Sequence, residues 1–245
     1  MISWIVMRIG RKLKAATKTV LSIVKGRSIA NLPESLISRA DIISFDVFDT
    51  LVIRSVKTPS DVFDLVESAY NTESSAKAIS GYKSIRMNAE QKARRESVYN
   101  EITLEEIFNN LNDTYGVEVC NRLKEIELKT ELEVCHTNDE MAAFYRRMKD
   151  EGKRIVIVSD MYLSGEEIGR ILEKCGFAGY ERLYVSSDCR KTKRDGSLFD
   201  QVITDCCVTD VSRILHIGDH PRSDYSVPKN KGLKAFLYRK TGVNS

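Results

Sequence analysis

Asp41-Ile-Ile-Ser-Phe-Asp46-Val-Phe48-Asp49-Thr50-Leu51 is the stretch on which the reading of this chain turns. An apolar run leads into a carboxylate; a second acid, a threonine and a leucine follow. A buried strand that ends on an aspartate and then turns sharply is how an α/β sheet presents a nucleophile at its carboxyl edge. Four further short apolar runs follow: Arg154-Ile-Val-Ile-Val158, Arg182-Leu-Tyr-Val185, Arg213-Ile-Leu-His-Ile217 and Lys234-Ala-Phe-Leu-Tyr238. Helical stretches separate them, one of them predicted over about 165–175 and stopped by Gly176. Strand and helix in alternation predict a parallel sheet with helices on both faces.

Between the first strand and the second the pattern is helical and highly charged. Thr58-Pro59-Ser60-Asp61 reads as a helix start ahead of Val62, Phe63, Leu65, Val66 and Tyr70. Ile85, Ala89 and Ala93 mark a second helix, and Thr103-Leu-Glu-Glu106 is a capping box for another. Two more are predicted over about 118–135 and 139–149, and Asn31-Leu-Pro33 reads as a break before the first strand. The expected architecture is α/β: a doubly wound, Rossmann-like core from residues 31–57 and 137–245, with a helical cap inserted over 58–136.

The chain has 245 residues, 42% hydrophobic and 30% charged, enough for a core of ordinary size without disulfides. Its six cysteines show neither C-x-x-C spacing nor clustering with histidine, which reads as reduced thiols in a cytosolic protein. The net charge of +3 is unevenly spread. Residues 1–40 hold eight Lys/Arg and one acid, so the remaining 205 residues carry −4. That sign argues against nucleic acid as a partner. Over residues 1–30, Ile2, Ile5, Val6, Ile9, Leu13, Ala16, Val20, Ile23 and Val24 form a helical stripe backed by cations. Such a helix is too charged to span a bilayer and has no signal-peptide cleavage site. It suits docking on an anionic membrane surface or on a partner, the alternative being a helix packed on its own domain or left mobile.

In a parallel sheet the residues just after each strand meet at one edge. Here those are Asp46, Ser159, Asp219 and Asp224, with Lys193 in a loop-to-helix stretch. The set is chemically coherent. Asp46 can attack phosphorus, Mg²⁺ needs hard oxygen ligands from Asp46, Asp219 and Asp224, and Ser159 and Lys193 can hold phosphoryl oxygens. His216, within a strand, reads as a core residue, and His220 as a loop residue. Arg54, Arg86, Arg94 and Arg95 are candidates for gripping an anion from the cap side, although helices this charged usually carry such residues as solvated faces.

The order and spacing of these segments resemble the haloacid dehalogenase (HAD) superfamily, whose members are mostly Mg²⁺-dependent phosphatases. Phe45-Asp46-Val-Phe-Asp-Thr50-Leu51 resembles its first motif and Ile155-Val-Ile-Val-Ser159 its second. Lys193-Arg-Asp-Gly-Ser-Leu-Phe199 is similar to the lysine motif, and His216-Ile-Gly218-Asp219-His-Pro-Arg-Ser-Asp224 to the fourth. The resemblance implies a hydrolase acting on a small phosphorylated substrate through Asp46. It also implies Mg²⁺ held by Asp46, the backbone carbonyl of Phe48, Asp219 and Asp224. Ser159, Asp160 and Lys193 would contact substrate, and Thr50 would orient the turn or join them. Phe45 to Arg54 with Pro59-Ser-Asp-Val-Phe63 also looks like domains found with glycosyltransferases of bacterial capsule and surface-polysaccharide biosynthesis. That narrower likeness implies a sugar or polyol phosphate, a glycosyltransferase contact through residues 1–30, and a place in the cytoplasm or at the inner face of the membrane.

One position departs from the superfamily pattern. Phosphatases of this kind normally carry a second Asp two residues after the nucleophile, as general acid and base, where this chain has Phe48. Three readings follow. Asp49 or Asp160 takes the role; the leaving group needs little protonation, as in an acyl phosphate or a phosphotransfer; or the chain is a carbon–halogen hydrolase, whose branch has an aromatic here. Asp219 and Asp224 speak against the last, since displacement at carbon needs no metal. A phosphatase or phosphotransferase is expected first, and a non-catalytic scaffold partnering a glycosyltransferase is the competing class.

Overall fold

A computed structural model describes residues 26–73 and 78–240. The amphipathic stripe expected over 1–30 falls on residues 1–25 and lies outside the described residues. Residues 27–31 are not α-helical. Arg27 forms a parallel bridge with Tyr238, and Ile29–Asn31 is a single 3₁₀ turn whose start is tied to Glu140 through Ser28.

Five strands form the core sheet: β1 (Ile42–Phe45), β4 (Arg154–Ser159), β5 (Arg182–Val185), β6 (Ile214–Gly218) and β7 (Lys234–Leu237). Their order is β5-β4-β1-β6-β7, all parallel, with the first strand in sequence at the centre. This is the doubly wound α/β sheet that the alternation predicts. Every β1 residue is buried, as a strand covered on both faces should be. Successive β1 side chains serve opposite faces. Ile42 joins one apolar cluster with Val156, Val158, Phe199 and Ile214, whereas Ile43 and Phe45 join the larger one with Phe144, Met148, Ile157 and Leu215.

A short helix, α1 (Glu34–Arg39), precedes β1 where the sequence shows only a break at Pro33; Pro33 is its N-cap residue. Beyond β1 lies a second, two-stranded sheet, β2 (Val52–Arg54) antiparallel to β3 (Cys135–Thr137). Between these strands the chain is helical: α2 (Val62–Glu73), α3 (Tyr82–Glu96), α4 (Leu104–Asn109), α5 (Asn112–Tyr115) and α6 (Val117–Val134). The starts are those the sequence marks. Thr58 and Asp61 form a capping box, as do Thr103 and Glu106, each satisfying orphan N–H groups at about 1 kcal/mol per cap.

The core helices are α7 (Asp139–Asp150), α8 (Gly165–Lys174), α9 (Ser186–Cys189), α10 (Ser197–Asp205) and α11 (Val227–Asn230). Gly176, at φ 79°, follows α8 in the left-handed conformation that ends a helix cheaply. The helical insertion meets the core next to the strand tips. Leu104 N–H donates to Tyr162 O at 2.9 Å, and Arg190 donates to Glu101 O at 3.1 Å and to Glu106 at 2.7 Å.

Candidate active site

Asp46 sits where β1 ends, and its N–H still donates to Ile217 O at 2.9 Å, so the sheet itself fixes the carboxylate. The chain then turns back at once. Val52 N–H donates to Val47 O at 2.9 Å, Asp49 N–H donates to Val52 O at 2.8 Å, and Asp49 takes φ 57°. A non-glycine residue in the left-handed region is uncommon, and aspartate tolerates it better than most. Thr50 is fully buried and donates from Oγ1 to Asp46 Oδ2 at 3.1 Å, which makes it an orienter of the nucleophile candidate.

Lys193 comes from the loop before α10. Its backbone is held by Asp160, whose Oδ1 accepts from Lys193 N–H at 2.7 Å and whose Oδ2 accepts from Arg194 N–H at 3.3 Å. Its ammonium bonds Asp46 Oδ1 and, at 2.7 Å, Asp224 Oδ1. Asp224 lies in a π-helical turn, Pro221–Ser226, that folds its carboxylate back onto the strand end. There Oδ1 also meets His216 Nε2 at 3.1 Å, and Oδ2 accepts from His220 N–H at 2.9 Å. Only a glycine permits this approach: a Cβ on Gly218 would stand 2.5 Å from Asp224 Cγ.

Asp46, Asp219 and Asp224 each offer an oxygen within 4.8 Å of the other two. Burial pushes the Asp46 carboxyl up to about 8, against the pull of Lys193 and with the charges of Asp224 and Asp219 adding to it. Asp219 is raised to about 7 by burial and by the charges of Asp224 and Asp49. Burial also opposes ionisation of Asp224, but Lys193 and the His216 hydrogen bond outweigh it and hold Asp224 well below the usual carboxylate range. Burial would lower Lys193; the carboxylates of Asp224, Asp46 and Asp160 hold it above its ordinary value instead. His216 is lowered by burial, so it stands neutral, accepting from Ser44 Oγ at Nδ1 (2.8 Å) and donating from Nε2 to Asp224.

With all three acids ionised and one ammonium among them, the cluster carries −2. That charge, on an all-oxygen donor set, fits one divalent hard cation such as Mg²⁺. The cluster forms the floor of a cavity of about 840 Å³ that also includes Phe48, Asp49, Ser159, Asp160, Lys193 and residues of the helical insertion.

The structure therefore gathers Asp46, Thr50, Ser159, Asp160, Lys193, Asp219 and Asp224 at one sheet edge. Asp160 lines the cavity but spends both oxygens on backbone N–H groups, so its evident work is to position Lys193. Asp49 is exposed and lines the cavity. Phe48 also lines it, half-buried, with the Arg54 guanidinium 3.9 Å above its ring centre. The arginine candidates separate. Arg54 and Arg94 reach the cavity, but Arg54 pairs with Glu131 at 2.6 Å, and Arg94 with Glu90 at 3.0 Å and Glu101 at 2.5 Å. Arg86 is fully buried against Glu127 and is absent from the cavity wall, so it is no anion grip; Arg95 is exposed away from that wall. Sequence reasoning left His216 as a core residue and passed over Ser44, which the parallel register places beside it. It also passed over Glu101, in the loop before α4, and Glu131, on α6, buried acids on the cavity wall that the local sequence does not distinguish from solvated ones.

No protein-family model matches the chain. Among curated proteins it is 35% identical over 74 residues to haloacid dehalogenase-like hydrolase domain-containing protein 3 of Danio rerio, a match to 29% of this chain and 30% of that protein. The matched stretch thus spans under a third of that relative. Among solved structures it is similar to a 2-haloacid dehalogenase from Pseudomonas syringae pv. tomato (TM-score 0.62, 15% identity, 84% of this chain and 89% of that one). It is also similar to magnesium-bound YfnB of Bacillus subtilis, assigned as a HAD hydrolase (TM-score 0.56, 17% identity, 80% and 86%). These likenesses show the α/β fold of the haloacid dehalogenases and support the superfamily resemblance carried by the four motifs.

Proposed function

We propose that this protein is a Mg²⁺-dependent phosphatase or phosphotransferase that acts on a small phosphorylated metabolite through an aspartyl-phosphate on Asp46. The observation that carries this reading is the gathering of the Asp46, Asp219 and Asp224 carboxylates around Lys193, facing a cavity at the sheet edge, a set that is two charges negative once all three acids ionise. A divalent cation bound there supplies charge neutralisation that lets two anions, carboxylate and phosphoryl group, approach. Asp46, oriented by Thr50, attacks phosphorus and expels the alkoxide. Lys193 and the Ser159 hydroxyl hold the phosphoryl oxygens where charge develops. Asp49 is the acid that can meet the leaving group, because Asp160 is committed to the backbone of Lys193 and Arg194. Asp49 then takes a proton from the water that cleaves the acyl phosphate, releasing inorganic phosphate and restoring Asp46.

Phe48 favours a second reading, a non-catalytic scaffold. Its ring stands at the sequence position of the usual acid and is covered by the Arg54 guanidinium, which Glu131 holds in turn. In either reading the basic residues of 1–30 suit an anionic membrane surface or a glycosyltransferase partner, in line with the capsule-associated resemblance. Among the described residues no helix is long and apolar enough to cross a membrane. The test is phosphate release from a panel of phosphorylated metabolites with Mg²⁺, run beside Asp46→Asn. Turnover that disappears in Asp46→Asn supports the enzyme; none on any member favours the scaffold, and halide release without metal favours the dehalogenase.

A further inference from the structure

Away from the phosphoryl end, the cavity wall carries more carboxylates than cations. Asp49, Glu90, Glu101, Glu131, Asp160 and Asp195 face Arg54, Arg94 and Arg194. Arg54 and Arg94 are already held by Glu131, Glu90 and Glu101. Arg194 has no ion pair among the described residues, but it stands exposed at the rim between Lys193 and Asp195. Such a wall repels a second anion on the substrate.

Glu131 gives the wall a specific feature. It lies in the last turn of α6, is only 6% exposed, and lines the cavity. Its Oε1 takes both Arg54 Nε and Nη2 at 2.6 Å, while no group among the described residues donates to Oε2. With no such donor on it, that oxygen is open to a ligand on the cavity side, and a ligand that brings a donor forms a charge-assisted hydrogen bond there. A ligand that brings an acceptor or an anion gains nothing and adds repulsion.

Building on the phosphatase reading, we infer that Glu131 selects a phosphomonoester whose leaving group offers hydroxyl or ammonium donors and carries no second anionic group. Glu131 is here a specificity determinant of the leaving-group end, with no part in bond breaking.

The test uses non-hydrolysable phosphonates, so that recognition is read without turnover. Aminoethylphosphonate, hydroxyethylphosphonate and phosphonoacetate are titrated calorimetrically into the full chain with Mg²⁺. The amine and hydroxyl compounds are expected to bind at least about tenfold more tightly than phosphonoacetate, the order set by one hydrogen bond to a charged group. Glu131→Gln keeps the side-chain shape but uncovers the Arg54 charge, and should narrow that gap about tenfold. If Glu131→Gln does not fold, the double substitution Arg54→Met/Glu131→Met decides: the amine and hydroxyl compounds bind less tightly and phosphonoacetate gains nothing. Phosphonoacetate binding as tightly as the others, no binding by any of the three, or an unaltered gap in a folded variant would overturn the inference. Should the matching phosphate esters resist turnover while the phosphonates keep their order, the phosphatase reading fails and the assignment of Glu131 stands.

Discussion

Arg86 in the helical insertion and Lys193 in the sheet domain are both buried cations, and they sit in opposite kinds of balance. Arg86 donates from Nε and Nη2 to the two oxygens of Glu127, at 3.0 and 2.7 Å. Tyr82 OH completes that carboxylate at 3.1 Å, and the guanidinium lies 4.7 Å from the Phe63 ring centre and 5.0 Å from that of Tyr162. Charge and hydrogen bonds are matched, and the cluster has no use for a ligand. Lys193 faces Asp46 and Asp224 directly, with Asp219 within reach of both, so its cluster is left two charges negative whenever all three acids ionise. Two buried cations thus do different work. A matched buried pair ties helices together, whereas an unmatched one that opens on a cavity is a cation site.

That contrast can be attacked by substitution, and the largest effect is expected beside the unmatched cluster. Asp49→Asn should lower kcat on alkyl phosphates about 10²–10⁴-fold, the range for losing general acid–base help, and lower it far less on an acyl phosphate. Equal losses on both, or none, would remove Asp49 from that role. At the matched cluster the effect is on stability instead. Arg86→Met strands Glu127 in the interior and should cost about 3–5 kcal/mol in urea denaturation, with kcat per folded molecule unchanged.

The third effect is a pH dependence. Asp46 and Asp219 are raised to about 8 and about 7, above the ordinary carboxylate range, so their protonated forms favour the folded state. The stability they contribute is complete in acid and is lost as pH climbs through 7 to 8, where they must ionise side by side. The metal-free protein should therefore melt at lower temperature at pH 8.5 than at pH 6, and Mg²⁺ should raise the melting temperature more at the higher pH. A Mg²⁺ shift that is the same at both would mean the cation does not bind these two acids. The smallest effect belongs to the support of Asp224. Ser44→Ala removes the donor to His216 Nδ1 and should cost about 1 kcal/mol in the same denaturation assay, with the metal response kept.

Much of the core was legible because a buried parallel strand announces itself. Ile42–Phe45 and Arg154–Ser159 are apolar on both faces, and each ends on the residue it delivers to the edge. Other parts were not readable, for physical reasons. β2 and β3 have three residues each, too few for alternation to show, and they pair across more than eighty positions. His216 could be read as buried but not as the partner of Asp224, because that contact depends on the π-helical turn rather than on strand periodicity. Arg86 and Arg94 have the same local context of charged helix, and only packing separates a fully buried structural cation from one at a cavity wall. Asp160 follows Ser159 directly and so reads as a substrate contact; the loop that brings two N–H groups to it is invisible in sequence.

The proposal as a whole rests on Asp46 being the atom donor that takes the phosphoryl group while a cation shares its carboxylate with Asp219 and Asp224. Acid-quenched reaction of the full chain with acetyl phosphate, followed by intact-mass and peptide mapping, reads this directly. One phosphoryl group on Asp46, formed with Mg²⁺ and lost when Mg²⁺ is chelated, is the expected result. Consumption of acetyl phosphate with Asp46 unlabelled, or a label that forms equally well without the metal, would contradict it.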